Sequence, residues 1–221
     1  MPANDIQKWD SFVRQHGHLL QLSAWGALKS DFGWYAERIT ITDSEGSITA
    51  GAQILFRKLP FGLGTLAYLP YAPIVDWTKP DQVQAIMQAV DSTARQNRAI
   101  FLKAEPGYGI KAEWMHTAGF QASTQTIQPP ATIMLDLDDD EDTILKRMNQ
   151  GTRRNIRKSE KFNVEVYEGT HADVDHFNAM LDETGERQGF GVHVAEYYER
   201  AFDLFVSRGD AVLLMARYED V

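Results

Sequence analysis

Two adjacent prolines, Pro129 and Pro130, constrain this chain more than any other pair of residues. Proline fixes its own φ, has no amide hydrogen and disfavours helix in the residue before it. Neither a helix nor a central strand can run through this point. The break predicts two units, residues 1–130 and 131–221, which suits a chain long enough for one large domain or two small ones. Before the break, residues 4–15 place Ile6, Trp9, Phe12 and Val13 at helical spacing, with Asn4 as the cap. Residues 18–22 are short and apolar. Ser23 caps a second helix carrying Trp25, Leu28 and Lys29 and ending near Gly33. Residues 34–42 alternate as a strand, Ser44-Glu45-Gly46-Ser47 is a turn, and residues 48–59 return as the second strand of a hairpin. A third strand spans 63–69, a helix 81–96, a buried strand 99–103 and a short helix 113–118, and another strand begins at Phe120.

Beyond Pro130 the pattern restarts. Residues 131–137 read as a strand, and the acidic run 138–142 sits where a helix dipole favours anions, at a helix start. That helix runs through Ile144, Leu145 and Met148. A second follows Gly151 with Thr152 as its cap. Residues 163–167 form a strand, 174–184 a helix with Phe177, Met180 and Leu181 on one face, 195–206 another helix, and 211–217 a strand. Runs of helix and strand in this order define an α+β protein around a mixed sheet. The first unit has the element order of a Gcn5-related N-acyltransferase domain, and the second echoes it loosely. Tandem acyltransferase-like domains are therefore expected, the second incomplete: residues 211–217 match the first strand of the first unit, and the return strand would begin at Val221.

Charge points to a partner. The formal net charge is -9, yet residues 146–161 hold seven cations (Lys146, Arg147, Arg153, Arg154, Arg157, Lys158, Lys161) and one anion, Glu160. Cations concentrated in an acidic chain attract phosphate-bearing partners, although many such runs are solvated helix faces. With no cysteine, disulfides and thiolate metal sites are excluded. His16-Gly17-His18 and the pair His171 and His176 lack metal-ligand spacing, so no metal site is expected. No apolar run is long enough to span a membrane, and any membrane contact is expected to be peripheral. Gly62-Leu63-Gly64 is too short for a phosphate-cradling loop, and no Gly-x-Ser-x-Gly of a serine hydrolase occurs.

Five elements in order resemble the Fem family, the aminoacyl-tRNA-dependent transferases that build peptidoglycan cross-bridges. Leu20-Gln21-Leu22-Ser23-Ala24-Trp25-Gly26-Ala27-Leu28-Lys29 resembles its Q-S-x-x-W-x-x-x-K opening. Leu59-Pro60-Phe61-Gly62, then Tyr68-Leu69-Pro70-Tyr71-Ala72-Pro73, resembles its Y-x-P-R-G-P element, with Tyr71-Ala72 in place of Arg-Gly. Lys103-Ala104-Glu105-Pro106, residues 128–137 and residues 148–158 complete the series. The resemblance implies attack of a stem-peptide amine on an aminoacyl ester. The ester is already activated, so neither a cofactor nor a metal is implied. A carboxylate can orient the amine and take its proton, and Glu105 is the candidate, alongside a plain turn-stabilising role. Lys29, Arg187, Tyr197 and Tyr71 are implied in binding the precursor. Arg153, Arg154, Arg157 and Lys158 are implied in contacting phosphates of tRNA or precursor. The implied partners are aminoacyl-tRNA and a lipid-linked or UDP-linked muropeptide. The implied location is the cytoplasm, at the inner face of the membrane. Two other readings remain: an acyl-CoA-dependent N-acyltransferase and a non-catalytic precursor-binding module.

Overall fold

The structure, a computed structural model, describes residues 3–71, 73–129 and 131–219. The side chain of Asn4 and residues Ala72, Pro130 and Val221, named above, lie outside that set. The chain forms two compact units, residues 1–128 and 129–221.

In the first unit, α1 (Ala3–His16) and α2 (Ser23–Asp31) precede β1 (Tyr35–Thr42), β2 (Ile48–Lys58) and β3 (Thr65–Pro70). Then come α3 (Pro80–Gln96), β4 (Ala99–Glu105) and α4 (Ala112–Thr117). The strand order is β1-β2-β3-β4, antiparallel up to β3 and parallel between β3 and β4, with α3 as the crossover. The β1–β2 turn closes because the Asp43 carboxylate accepts from the N–H groups of Glu45 and Ser47, both at 2.9 Å, with Gly46 at φ 81°. Every residue of β2 from Ala50 to Phe56 is buried, so both faces of the sheet are covered there. Ala52, Ile54, Phe56, Ala67, Leu69 and Val90 pack into one core, and Trp9, Phe12, Val13, Leu22 and Ile74 into another. α1 packs tightly on the sheet at Gly51: a Cβ there would sit 2.5 Å from the Trp9 ring.

Several local expectations change. Ser23 does not cap α2; Leu22 holds that place and Ser23 is the first helical residue. β4 is not buried throughout, because it ends the strand order and leaves Ile100 and Phe101 exposed. No strand begins at Phe120. Its N–H donates to Met115 O (3.0 Å) and closes α4 in a turn with Gly119 at φ 91°.

The second unit contains α5 (Glu141–Arg147), α6 (Gln150–Lys161), β5 (Glu165–Glu168), α7 (Val174–Gln188), α8 (Ala195–Phe205) and β6 (Leu214–Arg217). β5 and β6 pair antiparallel, Glu165 facing Arg217. The acidic run does start a helix: Asp140 caps α5, accepting from Thr143 N–H (3.0 Å) and Thr143 Oγ1 (2.7 Å). The cap of α6 is Asn149, not Thr152, whose N–H is the donor that Asn149 Oδ1 accepts at 2.9 Å. Residues 131–137 are not a strand. Ile133, Met134, Leu135 and Leu137 are exposed, and an extended segment without a ladder partner remains irregular. On α7 the covered face is Val174, Phe177, Asn178, Leu181 and Gly185, while Met180 points to solvent. Among the described residues, no helix is long and apolar enough to cross a membrane.

Candidate active site

The site is built where β2 and β3 part. Leu55 faces Tyr68 in the ladder, so Gln53 would next face Pro70, which has no N–H to offer. The side-chain amide of Gln21 fills that gap. Its Nε2 donates to Gln53 O (3.1 Å) and Pro70 O (2.5 Å), and its Oε1 accepts from Gln53 N–H (2.6 Å). A buried side chain thus stands in for a strand peptide and lets β3 leave the sheet. Pairing resumes at Gly51↔Ile74, two residues out of register with the ladder before it. Tyr71 lies inside this slip at φ 48°, a left-handed conformation uncommon for a residue with a side chain.

Gln53 continues the polar seam. Its Nε2 donates to Leu22 O at 3.0 Å. Beside it Asp10 is buried, accepting from Ser23 N–H (2.7 Å) and Ser23 Oγ (2.5 Å), while Arg38 Nη2 donates to Ser23 O (3.3 Å). Burial lowers the Arg38 guanidinium from its ordinary value, opposed by Asp10. Gly26 faces this seam: a Cβ there would meet Gln53 Oε1 at 2.6 Å and Arg38 Nη2 at 2.8 Å.

Glu105 ends β4 directly beside Tyr71, and its carbonyl accepts from Tyr71 N–H at 2.7 Å. Its carboxylate is already engaged. Tyr68 Oη donates to Oε2 (2.6 Å), Gln128 N–H donates to the same oxygen (3.0 Å), and Ile127 N–H donates to Oε1. Burial and this bond push the Tyr68 hydroxyl well up from its usual range. Lys103, two residues back on the same side of β4, donates to Gln125 O and to Ser123 Oγ (3.4 Å). Lys103 and Glu105 together hold residues 123–128 along the strand end.

Aromatic rings cover the Tyr71 turn. His18 stacks on Tyr71 with centroids 3.8 Å apart and planes at 11°, and Tyr108 meets Tyr71 edge-on at 5.7 Å. A hydrogen bond to the Tyr108 hydroxyl, with burial second, pushes Tyr71 up to about 12. Burial lowers His18, whose Nδ1 accepts from Leu20 N–H at 3.3 Å. Lys29, in the last turn of α2, is half-buried with its Nζ 4.7 Å from the Trp25 ring centroid, and burial lowers its pKa.

The other expected binding residues lie in the second unit. Arg187 is exposed in the last turn of α7. Tyr197 is buried and stacked on His193 at 4.0 Å, and burial pushes it up to about 12. Arg153 turns back to cap α5, donating to Met148 O and Lys146 O (3.4 Å). Arg154, Arg157, Lys158 and Lys161 are exposed at helical spacing along one side of α6, with Lys158 Nζ 5.6 Å from the Phe162 ring. Of the expected set, Tyr71 and Glu105 touch each other, and Arg154, Arg157 and Lys158 share a helix face. Sequence reading missed Gln21, Gln53, Asp10 and Arg38. A glutamine inside Leu19-Leu20-Gln21-Leu22 was the available signal.

The first unit is thus an α+β fold with a parted strand pair and a carboxylate at the strand end. Comparison identifies its family. The FemAB family matches residues 5–118 and again 111–219, and the chain belongs to that family. The lipid II:glycine glycyltransferase of Staphylococcus aureus is 29% identical over 227 residues, covering 96% of this chain and 54% of that protein. The crystal structure of FemX superimposes with a TM-score of 0.87 at 27% identity, covering 97% of this chain and 56% of that one. The chain thus spans about half the length of the relatives it matches.

Proposed function

We propose that this chain is part of an aminoacyltransferase that moves an amino acid from aminoacyl-tRNA to the stem-peptide amine of a peptidoglycan precursor. Similarity to a lipid II glycyltransferase over 96% of the chain carries the reading. Its two halves, residues 1–130 and 131–221, serve as acyltransferase-like domains.

In the reaction the amine nitrogen attacks the ester carbonyl, an amide bond forms and the ester C–O bond breaks. The ribose hydroxyl of the tRNA leaves with a proton, and the amine gives up a proton. Free amines of this kind are protonated at neutral pH, with a pKa of about 10.4, so the acceptor must be oriented and relieved of its proton. Glu105, at the strand end, is the group to do so, with the neutral Tyr71 beside it among the groups that bind the precursor. Because three donors already hold the Glu105 carboxylate, its part is to fix residues 127–128 and present the remaining acceptor capacity to the amine. Lys29, Arg187 and Tyr197 bind the precursor. The α6 face of Arg154, Arg157 and Lys158 meets phosphates of tRNA or precursor, and Arg153 braces it. A lipid-linked acceptor places the enzyme in the cytoplasm at the inner membrane face.

The test offers full-length protein a charged tRNA or, separately, acetyl-CoA, each with lipid-linked precursor. Transfer from the tRNA is expected, and transfer from acetyl-CoA alone overturns the reading. In parallel, Lys29→Ala should weaken precursor binding about tenfold, near the worth of one charge-assisted hydrogen bond, without unfolding. Unchanged affinity refutes that assignment.

A further inference from the structure

The loop joining β2 to β3 holds an apolar tip out into solvent. Phe61 is 99% exposed and Leu63 66%, and Ile100 on the neighbouring β4 is 60% exposed. Ile100 belongs to the same patch, since its Cγ2 lies 3.2 Å from where a Cβ on Gly64 would be. Singly exposed apolar residues are ordinary; two on one loop with a third on the strand beside it are not. The loop is also fixed. Leu59 N–H donates to Gly64 O (3.0 Å), Leu63 N–H to Pro60 O (3.3 Å) and Thr65 N–H to Arg98 O (3.0 Å). Phe61 itself sits at φ 56°, where glycine or asparagine would be at less cost. Its ring is held outward by a built turn.

Cations ring this tip. Arg57 and Lys58 precede it and are exposed, with the Arg57 guanidinium 5.8 Å from the Trp34 ring centroid. Arg98 lies beside it, Nη2 reaching Gly62 O at 3.5 Å. In a chain of net charge -9, residues 46–75 contain no Asp or Glu at all, nor do residues 92–104. Apolar side chains that project beyond a collar of Arg and Lys, with a tryptophan behind, match one surface: an anionic lipid bilayer. The rings enter the interface and the cations meet lipid phosphates.

We propose that the tip Phe61–Leu63–Ile100, collared by Arg57, Lys58 and Arg98, docks this chain onto an anionic membrane surface. The tip is at the start of β3 and Glu105 lies beside its end, about 17 Å further along the strand. The residues that enter the lipid interface are therefore separate from the strand end that carries Glu105. The proposal does not depend on the donor or acceptor of the transfer reaction, because lipid binding is read without either.

The experiment is co-sedimentation of the full chain with phosphatidylglycerol-containing vesicles and with pure phosphatidylcholine vesicles. Binding to the anionic vesicles is expected, weakened by salt. The double variant Phe61→Ser, Leu63→Ser should bind at least tenfold less tightly at nearly unchanged thermal stability, since Phe61 is fully and Leu63 largely exposed. Lys58→Ala alone should lose about fivefold, the effect of one cation near such a surface. Absence of binding to anionic vesicles overturns the proposal. So does anionic binding that ignores the tip and Lys58, which would assign it to the cations of α6. Concentration-dependent self-association abolished by the double variant also overturns it, since a second copy would then occupy the tip.

Discussion

Replacing Gln21 with leucine tests whether a side-chain amide truly completes the sheet. Leucine is close to glutamine in volume, so the substitution leaves little cavity and isolates the polar loss. Three buried main-chain groups lose their partner: Gln53 N–H, Gln53 O and Pro70 O. An orphaned buried donor costs about 1–3 kcal/mol, and each carbonyl, which keeps a second lone pair, nearer 1. The sum is about 4 kcal/mol, a large share of the 5–15 kcal/mol that holds a typical domain folded. All five tryptophans, at 9, 25, 34, 77 and 114, belong to the first unit, so their fluorescence follows that unit alone. With an m-value of about 2 kcal/mol per molar urea, the midpoint should fall by about 2 M. The effect should reach the site as well. Pro70 anchors the turn that aims Tyr71 N–H at Glu105 O, so hydrogen exchange at the Tyr71 amide should quicken even under native conditions. A midpoint within about 0.5 M of wild type would refute the reasoning, because three orphaned groups cannot cost so little.

Two further outcomes follow from the same geometry. Burial holds His18 below its ordinary pKa of about 6.5, so on acidification the unfolded chain takes up the proton first. Stability therefore falls as pH drops below about 6.5 and levels off once the folded His18 also titrates. Wild type minus His18→Asn, which keeps a capping acceptor and does not titrate, should show that fall in urea midpoints; equal pH profiles would contradict it. In the second unit, Asn149→Ala should cost α6 about 1 kcal/mol as a lost N-cap, and Thr152→Ala little. Native-state hydrogen exchange of the α6 amides distinguishes the two, and a larger effect at Thr152 would restore it as the cap.

The helices were legible because their evidence is local. Ile6, Trp9, Phe12 and Val13 repeat every three to four residues, and Asp140 announces α5 through a bond to an amide three residues on. Strands were less so, since alternation says that a segment could be a strand and not that it has a partner. Residues 131–137 carry apolar residues enough for a ladder and have none. Phe120 is drawn into the end of α4 instead.

The candidate site divides the same way. Glu105 stood out by position, next to a proline at a strand end, and Tyr71 through the family-like element it belongs to, yet what they do depends on contacts of long range. The partners of Gln21 lie 32 and 49 residues away, and those of the Glu105 carboxylate 37, 22 and 23. Nothing in the neighbourhood of Gln21 requires a polar atom. The requirement comes from Pro70, which cannot donate to β2 and so leaves Gln53 without a pair. A glutamine among leucines and a proline ending a strand are each unremarked alone. Read together they mark the place where a sheet must open, and in this unit the opening is where the carboxylate stands.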